Sequence, residues 1–283
     1  MTRHTGAVRA IAIAPSGRWL ASASADQTVR LWNPDGTARA TLTGHIGTVT
    51  AVAIAPDSTW LATAAKDETV RLWNRNGTLR ATLTGHTDLI YGVAIAPDGT
   101  WLATASADQT VRLWTPDGTW FATLTGHLGG VRGVTIAPDG TWFATRSHDK
   151  TVRLWRADGL ARATLTGHTG HITAVAISPG STWLATAAKD ETVRLWNRDG
   201  TRRATLRGHT GQVNAVAISP GSTWLVTASA DRTVRLWHAD SHECAAILRT
   251  DAKLLDVCWQ AGNLIAACGP SGIYTLTLTG TTG

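Results

Sequence analysis

Apolar residues recur along this chain in short alternating runs, with no helical spacing anywhere, and the runs come in groups of four. In the second group Val49 to Ala55 alternates and is β-branched, and PDST makes a turn. Trp60 to Ala64 follows, a tight turn falls at Lys66-Asp67, Thr69 to Trp73 is the third run, and NRNG leads into Leu79 to Leu83. Period-two alternation with Gly or Pro at the joints predicts strands. The chain is expected to be all-β.

The groups repeat. LATAAKDETVRLWN stands word for word at Leu61 to Asn74 and at Leu184 to Asn197, 123 positions apart, which is three times 41. Six copies align on His4, His45, His86, His127, His168 and His209 without an insertion, spanning about 2–42, 43–83, 84–124, 125–165, 166–206 and 207–247, before a degenerate seventh at 248–283. Copies 43–83 and 166–206 agree at 34 of 41 positions, which points to duplication of a three-copy block. A four-stranded antiparallel sheet that is apolar on both faces needs a neighbour on each, and copies stacked in a closed ring supply them. That arrangement is a β-propeller forming one domain over 1–283, and seven copies of 41 make 287 residues against the 283 present.

The pattern Gly-His, Pro-Asp-Gly and Leu-Ala-Thr-Ala-x-x-Asp-x-Thr-Val-Arg-Leu-Trp resembles the WD40 repeat over essentially the whole chain. The resemblance implies a seven-bladed propeller. The aspartate usual after the last tryptophan is replaced by Asn33, Asn74, Thr115, Arg156, Asn197 and His238, a departure common within the family.

His45, Thr63 and Asp67 look like an imidazole, hydroxyl and carboxylate set for nucleophilic catalysis. The set recurs as His4, Ser22, Asp26; His86, Thr104, Asp108; His127, Thr145, Asp149; His168, Thr186, Asp190; and His209, Thr227, Asp231. A tryptophan stands six residues after each aspartate, at Trp32, Trp73, Trp114, Trp155, Trp196 and Trp237. An enzyme has no use for six equivalent nucleophiles, so no catalytic residue is expected. The WD40 resemblance implies a structural relay from indole to hydroxyl to imidazole to carboxylate, one fastening per blade. A second ladder, Trp19, Trp60, Trp101, Trp142, Trp183 and Trp224, reads as packing, Trp259 as core and Trp120 as the surface of an outer strand.

Charge adds less than the pI near 9.8 implies. The net +6 equals the six arginines of TVRLW, namely Arg30, Arg71, Arg112, Arg153, Arg194 and Arg235. One arginine per blade around a ring is not the one-sided stripe that tracks a phosphate backbone, so nucleic acid is not expected as a partner. Cys244, Cys258 and Cys268 form no paired motif and read as small buried residues. His238, His242 and Cys244 are close in sequence but belong to a turn, so no metal is expected, and no glycine-rich phosphate loop or cofactor site is present. No apolar run has signal-peptide or membrane-helix character, so a cytoplasmic protein is expected.

The copies disagree mainly at three places. Three residues after the histidine stand Ala7, Thr48, Leu89, Gly130, His171, Gln212 and Lys253; five after it stand Arg9, Thr50, Tyr91, Arg132, Thr173, Asn214 and Leu255. Before the relay aspartate stand Ala25, Lys66, Ala107, His148, Lys189 and Ala230. The resemblance puts these on the narrow top face of a propeller, where partners dock. The expected binding surface is Arg9, Lys66, Tyr91, Arg132, His148, His171, Lys189 and Asn214, suited to an acidic or phosphorylated protein segment.

The last copy offers Leu254 to Trp259, Leu264 to Cys268 and Ile273 to Leu278, then only Thr279 to Gly283, while Met1, Thr2 and Arg3 are too short for a strand. The last blade is therefore expected to lack its own outer strand and to offer a bare edge for self-association. TRHTGAV at 2–8 resembles TGHTGHI at 166–172, as though cut from a longer parent. Near-identical repeats with a degenerate end resemble the C-terminal sensor propellers of bacterial multidomain signalling proteins, STAND-type ATPases or kinases. The function expected is a non-catalytic interaction scaffold or ligand-sensing propeller; the alternative is an engineered or evolution-model propeller without a ligand.

Overall fold

The computed structural model describes residues 3–260 and 264–277. Among these, 27 strands form seven antiparallel sheets, six of four strands and one of three, each sheet in chain order. The fold class is the all-β, seven-bladed propeller, with no helix among the described residues.

Blade 2 shows why the sequence folds this way. Its strands are Val49–Ile54, Trp60–Ala65, Val70–Asn74 and Leu79–Leu83, every boundary within one residue of the predicted one. Thr69, just before the third strand, donates its amide and hydroxyl to Asp67 Oδ1, at 3.1 and 2.8 Å. The second strand is buried at every residue. Leu61 and Ala65 face blade 1, whereas Trp60, Ala62 and Ala64 face blade 3. The fourth strand is largely exposed until Leu83.

Backbone contacts divide the chain into two compact units. The first holds Met1–Ile136, Ser147–Asp149 and Ala157–Leu160; the second holds Ala137–Arg146, Lys150–Arg156 and Ala161–Gly283. Within the first, Trp19, Ala21, Val29 and Leu31 of blade 1 close on Val49, Leu61 and Trp73 of blade 2. Trp60, Val70 and Leu72 then close on Ile90, Leu102 and Trp114 of blade 3. Within the second, Trp142 and Leu154 meet Ile172, Leu184 and Trp196, and Trp183 and Leu195 meet Val213, Leu225 and Trp237. Each such side chain taken out of water contributes about 1.5–3 kcal/mol. These junctions are the cores, because a single sheet has none of its own.

The Trp19 ladder does more than pack. The indole N–H of Trp19 donates to Ser58 O at 3.3 Å and that of Trp142 to Ser181 O at 3.1 Å, so these two tryptophans also hydrogen-bond a turn of the next blade. Trp120 is 51% exposed on a fourth strand, and Trp259 packs partly buried against the blade 6 and 7 core.

The last sheet has three strands, Asp256–Gln260, Leu264–Gly269 and Gly272–Thr277. Its first strand starts two residues later than predicted because the amide of Leu254 bonds Ser229 O in blade 6, at 3.1 Å. Met1, Thr2 and Leu278 to Gly283 lie outside the described residues. The cysteines correct the expectation of burial: Cys258 is exposed, and Cys244 and Cys268 are half-buried. Strand alternation is the reason. Val257 and Ala267, not Cys258 and Cys268, point into the core with blade 6.

Candidate functional site

The four relay residues of each copy come from separate places in a blade. The histidine precedes the first strand, the hydroxyl sits in the second, the aspartate in the turn after it, and the tryptophan in the third. In copy 2, Trp73 Nε1–H donates to Thr63 Oγ1 at 2.9 Å, Thr63 lies 2.8 Å from His45 Nε2, and His45 Nδ1 lies 2.8 Å from Asp67 Oδ2. The sets of His4, His86, His168 and His209 repeat these contacts at 2.7 to 3.0 Å. In copy 4, His127 Nδ1 lies 2.7 Å from Asp149, and Trp155 donates to Thr145 at 2.9 Å.

The direction of the relay follows from its ends. An indole can only donate and an ionised carboxylate only accept, so the hydroxyl donates to Nε2 and Nδ1–H donates to aspartate. The imidazoles of His45, His168 and His209 are thereby neutral with one defined tautomer. Burial depresses His45, His168 and His209 below the ordinary value, more than their aspartates raise them. Burial pushes the aspartates up, but donation from Thr192, His168 and the Thr169 amide outweighs it and holds Asp190 at about 2. Asp231 is held at about 2 in the same way by Thr233, His209 and the Thr210 amide. The five relay threonine hydroxyls are buried. Each of these hydroxyls has an indole N–H on it, whereas Ser22 of copy 1 lines, with His4 and Trp32, a cleft of about 460 Å³.

The TVRLW arginines also face inward. A Cβ on Gly44, Gly85, Gly167 or Gly208 meets the guanidinium of Arg71, Arg112, Arg194 or Arg235 at 2.2 to 2.7 Å, so the Gly of these four Gly-His pairs makes room for an arginine. Those glycines have φ between 122° and 143°, which also favours glycine. Sequence reading missed this pairing, although the constant Gly-His and constant arginine were its signal.

The structure brings two of the three variable positions together. The amide before each relay aspartate donates to the carbonyl three residues after the histidine: Lys66 to Thr48, His148 to Gly130, Lys189 to His171 and Ala230 to Gln212, at 2.9 to 3.0 Å. The position five after the histidine occupies a β-bulge in blades 1, 2, 3, 5 and 6, at Arg9, Thr50, Tyr91, Thr173 and Asn214. A bulge re-aims its side chain. Thr50 Oγ1 donates to Ile90 O, Thr173 Oγ1 to Val213 O and Asn214 Nδ2 to Leu254 O, each in the next blade. Gln212 also donates to Asn214 Oδ1 at 2.8 Å, so both ends of that amide are engaged within the chain. A hydrogen-bonding residue recurring at one position was the signal for this latch.

In blade 3 the bulge residue is Tyr91, and it holds the next blade differently. The guanidinium of Arg132 lies 3.9 Å from the Tyr91 ring centroid, and Arg132 Nε–H donates to His148 Nε2. Tyr91, Arg132 and His148 thus form one cluster in the first compact unit, with His148 exposed. Arg9 and Lys66 are exposed in that unit; in the second, Lys189 is exposed and His171 half-buried.

No group of three or more His, Cys, Asp or Glu placed to hold a metal occurs among the described residues. His238 Nδ1 instead accepts the amides of Asp240 and Ser241 at 3.3 and 3.2 Å. No helix of the described residues is long and apolar enough to cross a membrane. A family model described as "WD domain, G-beta repeat" matches residues 1–33, 36–74, 77–115, 118–156, 159–197 and 200–238. Among curated proteins, none matches the chain.

Proposed function

The chain belongs to the WD40 family, whose propellers generally act as protein-interaction scaffolds, and from that premise we propose that it is a non-catalytic, single-domain platform for an acidic or phosphorylated protein segment. One observation carries the choice of partner: Arg132 is pre-set by Tyr91 beneath it and His148 beside it. A guanidinium held this way keeps its terminal nitrogens for a bidentate carboxylate or phosphate and has less rotamer freedom to lose on binding. Arg9, Lys66, Lys189 and His171 add positive or hydrogen-bonding character at the same repeat positions.

Other parts of the reading have separate support. Nucleic acid is disfavoured as a partner because the arginine ladder packs against glycines. The cytoplasm fits three free cysteines. Self-association through the last blade is supported by Gly272–Thr277, which has a strand on one side only among the described residues. The sensor propeller of a bacterial STAND-type ATPase or kinase rests on the resemblance of near-identical repeats alone. A ligand-free, engineered or evolution-model propeller is favoured by one fact, the 34 of 41 identities between two copies.

The test is fluorescence-polarisation binding to a library of acidic and phosphorylated peptides, wild type against Arg9→Glu with Arg132→Glu. The expected result is saturable binding of some acidic peptides, lost in the charge reversal while the fold is retained. Binding that survives the reversal, or no acidic peptide bound by wild type, overturns the reading.

A further inference from the structure

Each four-stranded blade ends in an outer strand that has a neighbour on one side only among the described residues. A strand edge presents unpaired amide and carbonyl groups, and charged side chains are one means by which proteins keep another chain off it. Five of the six outer strands carry such a charge: Arg39 in Ala38–Leu42, Arg80 in Leu79–Leu83, Arg162 in Ala161–Leu165, Arg202 and Arg203 in Arg202–Leu206, and Arg249 in Cys244–Arg249. The sixth, Trp120–Leu124 of blade 3, reads WFATL and carries none. All six share a bulge against the third strand, so side-chain chemistry is what sets this edge apart.

Exposed aromatic surface stands in place of the charge. Trp120 is 51% and Phe121 45% exposed. Trp120 lies on the face of Arg112, whose guanidinium is 6.0 Å from its ring centroid, and its Nε1–H donates to Thr123 Oγ1 at 3.1 Å, so the indole is held in place. Phe121 stands where Arg80 and Arg203 reach over Trp60 and Trp183, at 5.6 and 5.4 Å, so it is on the other face. An added strand therefore meets an aromatic flank on both sides of the sheet. Gly272–Thr277 of the last blade is also uncharged, but its one exposed large apolar residue is Ile273.

We propose that a second copy of this chain pairs with Trp120–Leu124, strand against the same strand, in an antiparallel two-fold dimer that joins two copies of blade 3 into one sheet. Charge decides the occupant. A two-fold contact sets a surface against itself. Each of the other five outer strands would gather at least two arginines on one short ladder, where like charges repel, and Trp120–Leu124 would not. The contact covers a short strand and two aromatic rings, which places it among the small, transient interfaces. It depends neither on the Arg132 cluster nor on the edge of the last blade.

The experiment is sedimentation velocity of the full chain over a concentration series, with hydrogen exchange at its lowest and highest points. The variants are Trp120→Ala with Phe121→Arg, which rebuilds the ARATL of copies 1 and 4, and Ile273→Lys at the edge of the last blade. The expected result is a reversible dimer with Kd of about 10–100 μM, weakened about tenfold or more in the double variant. Protection that rises with concentration is expected in Trp120–Leu124 and not in Trp60–Ala65, which reports that the double variant keeps its fold. Ile273→Lys is expected to leave this dimer intact. A wild type that stays single throughout, association that survives the double variant, or association lost in Ile273→Lys instead overturns the proposal. Masses that rise past two copies do so as well, because a two-fold contact closes. A synthetic peptide of residues 118–126 is expected to compete with the dimer. Binding of that peptide to a chain that stays single shows an edge kept for another protein's strand, and overturns the second copy as its occupant.

Discussion

Arg132 reaches from blade 4 to the ring of Tyr91 in blade 3, 3.9 Å from its centroid, where neighbouring blades use a hydrogen bond to a carbonyl. The contact is a latch between blades as well as a presentation device. A double-mutant cycle of Tyr91→Ala and Arg132→Ala in urea is expected to give a coupling of about 0.5–1 kcal/mol, the range for partly exposed cation–π pairs. Additive single effects exclude the latch.

Removing the centre of a relay is expected to cost more than removing its end. His86→Ala leaves the Thr104 hydroxyl and the Asp108 carboxylate short of a partner, and a loss of about 2–4 kcal/mol follows. Trp114→Phe deletes one donor to Thr104 and keeps most of the packing, at about 1 kcal/mol. Denaturation midpoints decide the order. If His86→Ala is the milder of the two, the relay is not what pins the sheet.

Acid is expected to act in two stages with one sign. His45, His168 and His209 are held below the ordinary value of about 6.5 in the folded chain, so the unfolded chain takes up protons first. Their contribution is whole above about pH 6.5 and declines below it. Asp190 and Asp231, held at about 2 against 3.8, contribute fully above about pH 4 and lose that contribution toward pH 2. Urea midpoints are expected to be flat between pH 7 and 8, to fall gently from about 6.5, and to fall steeply below 4. Midpoints that rise on acidification to pH 5 contradict neutral buried imidazoles.

Asn214 joins blade 6 to blade 7 through Leu254 O, and blade 7 has three strands among the described residues and no relay histidine. Asn214→Ala is expected to lower stability by about 1 kcal/mol. It should also speed amide hydrogen exchange in Asp256–Gln260 and Leu264–Gly269, leaving Trp60–Ala65 unchanged. Equal acceleration in both regions points instead to global weakening.

The fold was legible because 41-residue periodicity ties every strand to five others of the same kind, so Val49–Ile54 and its counterparts support one reading. Within a copy, fixed spacings make His45, Thr63, Asp67 and Trp73 readable as a set. Contacts between copies are harder to see. That Thr50 reaches Ile90, or that Tyr91 lies under Arg132, depends on a bulge turning a side chain toward the next blade, and alternation alone places that residue on the wrong face. Cys258 and Cys268 were misread for a related reason: the last copy follows the repeat too loosely to show which face each residue takes.

The hairpins spanning 61–74 and 184–197 have one sequence, and in the finished molecule each pairs its strands in the same register, Leu61 with Trp73 and Leu184 with Trp196. During refolding, therefore, a first strand has nothing local by which to tell its own hairpin from the other. Only chain connectivity separates them, through the turns on either side. The repetition that makes each blade sound also makes two of them interchangeable, so exchange of one hairpin for the other is the misassembly to which this chain is open.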